Sequence, residues 1–435
     1  MCLSNKNNYL DVLFFVGLLW VNITSSVAAR DTNGLSGKMI VGYQGWFGCP
    51  GDFEKNNLWQ HWFVKAVQPE NFTVDLLPSV REIGAADLCD TGLRQLDGSA
   101  IRLYSAQNER VVTTHFRWMK EHGIDGAAVQ RFVAGFPDPS KLRRSNNMVR
   151  NVRAASEASS RVFYVAYDVS GANPKTVVDD IRKDWRHLVH DLKITASASY
   201  LHAHDRPVLQ LWGFGFGDRP GASDEVAALI KDLKSGQDGL QATYLIGGVP
   251  TRWRTLTGDS KSDTGWAKVY RSFDVISPWS VGRYADDDEA DAFLRDQILP
   301  DLAETKRLGL GYMPVIFPGF SWFNLMTNRG QTVNAVLNRI PRRCGKFLWR
   351  QVSNLLSSRI DMLYVAMFDE VDEATAIFPA ETRVDKLPLG TSMVVLNQDG
   401  CDLPDDWYLR VTGKAAQFLQ ARQIPPKQLD DVLRP

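Results

Sequence analysis

The chain has 435 residues, and its 50 Lys and Arg balance 50 Asp and Glu, so the formal net charge is zero. That balance excludes the basic footprint of a nucleic-acid binder and the polybasic face that holds proteins to acidic membranes. With 44% hydrophobic and 23% charged residues, the composition is that of a globular protein able to bury a large core.

Residues 1–29 read as a signal peptide. Lys6 gives a weakly basic start, 13–21 is an apolar run too short to span a bilayer, and Val27-Ala28-Ala29 supplies small residues for cleavage. A buried N-terminal helix and a retained signal anchor are the competing readings, and Asp11 beside the apolar run weighs against the first. Cleavage would leave a secreted, monomeric chain over 30–435 with no further membrane contact. It would also leave Cys49, Cys89, Cys344 and Cys401 in an oxidising compartment, where four cysteines suggest two disulfides. Three pairings are open; Cys49–Cys89 with Cys344–Cys401 is preferred because each closes a local loop. A zinc site is disfavoured, since no two of these cysteines are close in sequence and no His lies at ligand spacing. Asn71-Phe72-Thr73 is a glycosylation acceptor.

Eight short apolar runs follow in order: 39–43, 126–129, 162–167, 208–211, 244–247, 273–277, 313–317 and 362–368. They do not alternate cleanly, which suits strands buried on both faces. Between them lie amphipathic stretches. Val112, Phe116 and Met119 mark one helical face that Gly123 closes, and 146–156, 176–192, 223–233 (with Ser223 as N-cap), 289–304, 345–355 and 414–421 continue the pattern. Eight strand–helix units predict a single α/β domain, a (β/α)8 TIM barrel over 30–435. The rival is an open doubly wound sheet, but no Gly-rich phosphate loop follows the first run. Two excursions, 48–109 and 379–408, predict long βα loops on the catalytic face.

In such a barrel the chemistry sits at the C-terminal strand ends. Those positions hold Tyr43, Gln44 and Trp46; Gln130, Arg131 and Phe132; Asp168; Trp212; Trp279, Arg283 and Tyr284; and Trp322, while His61 and Trp62 lie in the first excursion. Flat rings interleaved with fixed donors and acceptors suit an oligo- or polysaccharide. Each residue taken alone is as easily a structural contact. After the eighth run come Asp369-Glu370-Val371-Asp372-Glu373, four acids in five positions. Glycosidic cleavage needs two carboxyls, one to give a proton and one to act as base or nucleophile, and crowding raises one pKa towards what a general acid needs. A solvated acidic loop or a calcium loop is the plainer reading. The His residues lack metal spacing and no Gly-x-Ser-x-Gly elbow occurs, so neither a metal nor another cofactor is expected.

The segments Val41-Gly42-Tyr43-Gln44-Gly45-Trp46-Phe47 and Trp59-Gln60-His61-Trp62, with 126–132, 276–284, 314–322 and 364–377, resemble the glycoside hydrolase family 71/99-like proteins across nearly the whole mature chain. Family 99 enzymes are retaining (β/α)8 endo-α-mannosidases and mannanases with the signature Asn-Glu-Trp-His-Glu-Gly-Thr. The matching stretch here is Asp369-Glu370-Val371-Asp372-Glu373-Ala374-Thr375. The resemblance implies that Glu370 is a base on the substrate's own 2-hydroxyl and Glu373 the general acid, without metal. Asp369, Val371 and Asp372 depart from the signature. The sugar therefore stays open among mannoside, xyloside and arabinoside, and a catalytically silent carbohydrate-binding barrel is the alternative.

Overall fold

The apolar runs assemble into a ring of parallel strands. The computed structural model describes Met1 and residues 34–52 and 58–435; the rest of the expected signal segment lies outside the described residues. In chain order the strands are β1 Met39–Tyr43, β2 Leu88–Arg94, β3 Ala100–Tyr104, β4 Gly126–Phe132, β5 Val162–Asp168, β6 His202–Ala203, β7 Arg206–Trp212, β8 Tyr244–Val249, β9 Val275–Pro278, β10 Gly311–Tyr312, β11 Val315–Ile316 and β12 Leu363–Val365. Parallel pairing runs β9-β8-β7-β5-β4-β1-β12, with β10 on β9 and β11 on β12. Two bonds join the last two pieces: Met313 N–H donates to Ile276 O at 2.9 Å, and Pro314 O accepts from Tyr364 N–H at 3.1 Å. Residues 311–316 are thus one barrel strand that changes neighbour at Pro314, which has no N–H to give the ladder. The expected (β/α)8 barrel is what the chain forms.

The helices are α1 Glu109–Glu121, α2 Pro139–Ser159, α3 Val177–Arg186, α4 Ser223–Ser235, α5 Gly265–Tyr270, α6 Asp287–Phe293, α7 Leu299–Leu308, α8 Phe323–Asn328, α9 Lys346–Ser357 and α10 Trp407–Gln420. Helix α2 starts seven residues before the expected 146, because Asp138 caps it through Ser140 N–H and Lys141 N–H and Pro139 is pre-set for the first turn. The expected single helix 289–304 is two helices joined by a wide turn at Leu294–Ile298, just ahead of Pro300, whose missing N–H rules out regular bonding there. Ser223 does not cap α4. It is the first helical residue, and its hydroxyl donates to Asp263.

The first excursion folds into an unforeseen hairpin, β2 against β3, and the Cys49–Cys89 disulfide ties it to the start of the first βα loop. Cys344–Cys401 ties the last long loop to the start of α9. Both pairings are the preferred ones. Among the described residues no helix is long and apolar enough to cross a membrane.

Candidate active site

The four acids sit on a turn that leaves β12 and is held from several sides. Glu370 O accepts from Thr375 N–H and Ala376 N–H, each at 3.0 Å. Buried Arg342 lies over the Tyr408 ring and donates to the carbonyls of Ala374 and Ala376, both at 2.7 Å. From the first excursion, Asp75 N–H donates to Val371 O at 2.9 Å. The Asp75 carboxylate accepts from the Ser321 hydroxyl and from Phe323 N–H and Asn324 N–H at the start of α8. Both long loops and the seventh strand therefore converge on this turn, which restricts where the carboxyls can point.

Burial sets the electrostatics. Asp369 is fully enclosed and accepts from Gln44 N–H at 2.8 Å and Gly45 N–H at 2.9 Å; burial pushes its carboxyl up to about 6 despite those bonds. Burial, then the Glu373 and Asp372 carboxylates, push Glu370 well above the carboxylate range, and Gln44 opposes this through a side-chain hydrogen bond. Asp372 rises for the same two reasons, burial and Glu373, and its Oδ1 has no hydrogen-bond partner. Glu373 is pushed up to about 7 by burial, against the pull of the Arg329 charge. Crowded carboxyls in a dry site share protons, so Glu370, Asp372 and Glu373 titrate as a unit, whereas the shift of Asp369 comes from burial and its backbone bonds.

Two cavities flank the turn. One, of about 470 Å³, is lined by Glu373 with Trp212, Trp279, Arg283, Trp322 and Phe216. The Trp212 and Trp279 rings meet edge to face at 5.2 Å, and Trp322 packs on Phe320 at 5.0 Å. A Cβ at Gly248 would lie 2.4 Å from the Trp212 ring, so glycine there makes the space that seats it. The other cavity, of about 290 Å³, is lined by Gln44, Trp46, His61, Gln130, Phe132 and Arg144, among others. Trp46 is sandwiched between His61, at 4.3 Å and nearly parallel, and Phe132 at 5.1 Å. Asp168 shares a register level with Phe132 and Trp212, and it accepts from Ser170 N–H at 2.7 Å.

The expected residues thus divide. Gln44, Trp46, His61, Trp212, Trp279, Arg283 and Trp322 line the two cavities beside Glu370, Glu373, Asp369 and Asp372, and Asp168 lies at the same strand ends. Four others point away. Tyr43 faces α1, its hydroxyl 2.9 Å from His115 Nδ1. Arg131 faces outward to α3, where Asp184 takes two bonds of 2.6 Å from it and a third of 2.7 Å from Tyr167. Trp62 is enclosed in the excursion and donates to Tyr104 O. Tyr284 is buried among Phe293, Phe317 and Phe347 and donates to Gln351. Strand alternation explains Tyr43 and Arg131: successive side chains go to opposite faces, so Gln44 and not Tyr43, and Gln130 and Phe132 and not Arg131, face the barrel mouth.

Several site residues carried no usable sequence signal. Lys141 and Arg144 stand on the early part of α2, which the apolar periodicity did not reveal. Arg329 and Arg339 follow α8, a helix too short to show a period. Asp75 looked like one acid among many in the excursion. The Asn71 amide is partly engaged, donating to Ala66 O at 2.9 Å. Among the described residues no three His, Cys, Asp or Glu side chains are grouped to hold a metal ion.

No family model and no curated protein matches this chain. Among solved structures, two of a GH99 endo-α-mannosidase from Bacteroides thetaiotaomicron, one in complex with BIS-TRIS-propane, share its fold with TM-scores of 0.63 and 0.64. Each is 13% identical, and the alignments cover 89% of this chain and 98% and 99% of theirs. A glycoside hydrolase-like protein follows with a TM-score of 0.51, 12% identity, and coverage of 82% of this chain and 98% of its own. At such identities the likeness concerns the backbone: this chain has the (β/α)8 barrel architecture of those glycoside hydrolase structures.

Proposed function

We propose that this chain is a secreted, retaining glycoside hydrolase in which Glu373 is the general acid and Glu370 the base. One observation carries the reading: the Glu373 carboxyl, raised to about 7 by burial, lines the tryptophan-walled cavity while Glu370 is electrostatically coupled to it on the same turn. An acid protonated near neutrality is what a departing glycosidic oxygen requires. The tryptophan faces supply flat apolar surface for sugar rings.

The mechanism follows the resemblance. Glu370 takes the proton of the substrate's 2-hydroxyl as that oxygen attacks the anomeric carbon, and Glu373 gives its proton to the leaving oxygen. Glu373 then takes a proton from water as the water opens the strained three-membered ring, and O2 recovers its proton from Glu370. Two displacements at one carbon retain configuration. The two disulfides fit an oxidising, extracellular setting. The sugar is a mannoside, xyloside or arabinoside.

The test is hydrolysis of α- and β-linked mannosides, xylosides, arabinosides and glucans by the full chain and by Glu373→Gln. The parent should cleave at least one, and the variant none, with an unchanged melting temperature. Equal turnover by both proteins refutes the assignment. A second reading, a binding barrel without catalysis, is favoured by the burial and neighbouring carboxylates that raise the proton affinity of Glu370, a shift away from the ionised form a base needs. It predicts glycan binding by both proteins and cleavage by neither.

A further inference from the structure

The cavity beside Trp46 has a charge of its own. Lys141, Arg144, Ser145 and Met148 line it, and they occupy positions i, i+3, i+4 and i+7 of α2, so one face of that helix forms its wall. No Asp or Glu is among its lining residues; its other polar groups are glutamines and His61. The charges of Arg144, Arg329 and Lys141 all reach the His61 ring.

Among the described residues these two cations have no hydrogen-bonded or ion-paired partner. Neither the Lys141 ammonium nor the Arg144 guanidinium has a side-chain hydrogen bond or ion pair among the described residues, and Arg144 Nε is buried with nothing to donate to. Other arginines with a buried unpaired nitrogen are engaged elsewhere: Arg131 holds Asp184, Arg342 holds two carbonyls, and Arg219 holds Asp218. Asp138, whose charge reaches Lys141 and Arg144, is the exposed cap of α2 and already accepts two backbone N–H groups. A buried charged donor left unmet is costly, so its position beside an open cavity indicates an acceptor brought from outside.

Nor do these two cations serve as counterions to the acidic turn. Arg329 is the cation that draws on Asp372 and Glu373, whereas neither Lys141 nor Arg144 is hydrogen-bonded or ion-paired to any of the four acids. The opposite cavity is different. There Arg283 is paired with Asp259 and Arg219 with Asp218, which leaves Arg339 as the lining cation without an ion pair among the described residues.

We propose that the glycan bound here is anionic, and that a carboxylate- or sulfate-bearing sugar docks against Lys141 and Arg144 in the cavity beside Trp46. The proposal rests on the carbohydrate reading of the site. The anionic group takes bonds from Arg144 Nε and the Lys141 ammonium, while the sugar lies against the edge of the Trp46 stack, whose ring faces His61 and Phe132 already cover. The cationic wall offsets the repulsion that the four carboxyls exert on a negatively charged chain.

The experiment is affinity electrophoresis of the full-length chain in native gels at low and high salt. The gels contain polygalacturonate, its methyl-esterified neutral form, dextran sulfate, or neutral dextran. The parent should be retarded by an acidic polymer and not by its neutral counterpart, with retardation weakened by salt. Arg144→Gln and Lys141→Gln should each weaken that retardation about tenfold. Arg150→Gln, which removes an exposed charge elsewhere on α2, should leave it unchanged. Retardation by polygalacturonate assigns a carboxylate, and retardation by dextran sulfate assigns a sulfate. Equal behaviour in acidic and neutral gels overturns the proposal, as does acidic binding that survives both substitutions or falls equally with Arg150→Gln. Lys141 is exposed, so its substitution leaves folding intact and the result readable. Because the readout is binding, failure of the hydrolysis test of Glu373 would leave this result standing, and failure of the gel test would leave that one standing.

Discussion

Asparagine at position 369, the residue of the family 99 signature, gives a sharp test of the buried charge. Asp369 is fully enclosed, and burial raises its carboxyl from 3.8 to about 6. A carboxyl whose pKa is higher folded than unfolded favours the fold while protonated, and that advantage is lost as pH rises from about 4 through about 6. Linkage across that interval gives a cost of about 3 kcal/mol at pH 7 and under about 1 kcal/mol at pH 4. Asp369→Asn removes this cost. It also removes one of two bonds, because Gln44 N–H and Gly45 N–H meet different oxygens and the amide offers only one. That loss is about 1–3 kcal/mol and does not depend on pH. The variant should therefore be the less stable protein at pH 4 and should gain on the parent by about 2 kcal/mol by pH 7. Urea unfolding of both proteins at pH 4, 5, 6 and 7 measures the difference. A stability difference that stays flat across that range would refute the buried-charge account.

Other consequences concern the scaffold around the site. Arg131→Ala leaves Asp184 as a buried carboxylate without its cation, and should cost about 3–5 kcal/mol in thermal or urea unfolding without changing glycan retention. Gly248→Ala places a methyl 2.4 Å from the Trp212 ring, which should cost about 1–3 kcal/mol by overpacking and alter tryptophan fluorescence. An unaltered spectrum would show that the ring has room. Replacing Cys49 and Cys89 by alanine frees a loop of sequence separation 40, which the chain-entropy relation values at about 4 kcal/mol; a melting point within a degree of the parent would contradict it.

The sequence by itself determined the barrel and where along it the two glutamates fall. Eight apolar runs at helix-length spacing leave few alternatives to a closed parallel sheet, because strands buried on both faces need helices around them. The same count puts Glu370 and Glu373 at the end of the last strand. The preferred cysteine pairs followed from loop proximity. Three things required tertiary structure. The first is which way each strand-end side chain points: a shift of one residue along a strand reverses its face, so Arg131 and Tyr43 turned into structural ties while Gln130 and Phe132 took the mouth. The second is the support of the acidic turn by Asp75 and Arg342, whose partners lie far along the chain and leave no local pattern. The third is charge. Nothing in the composition separates Lys141 and Arg144 from the other 48 basic residues of a neutral chain. Packing decides, by giving most arginines a carboxylate or carbonyl while Lys141 and Arg144 face an open cavity without one among the described residues, because a cation's role depends on which acceptors the fold brings within about 4 Å of it.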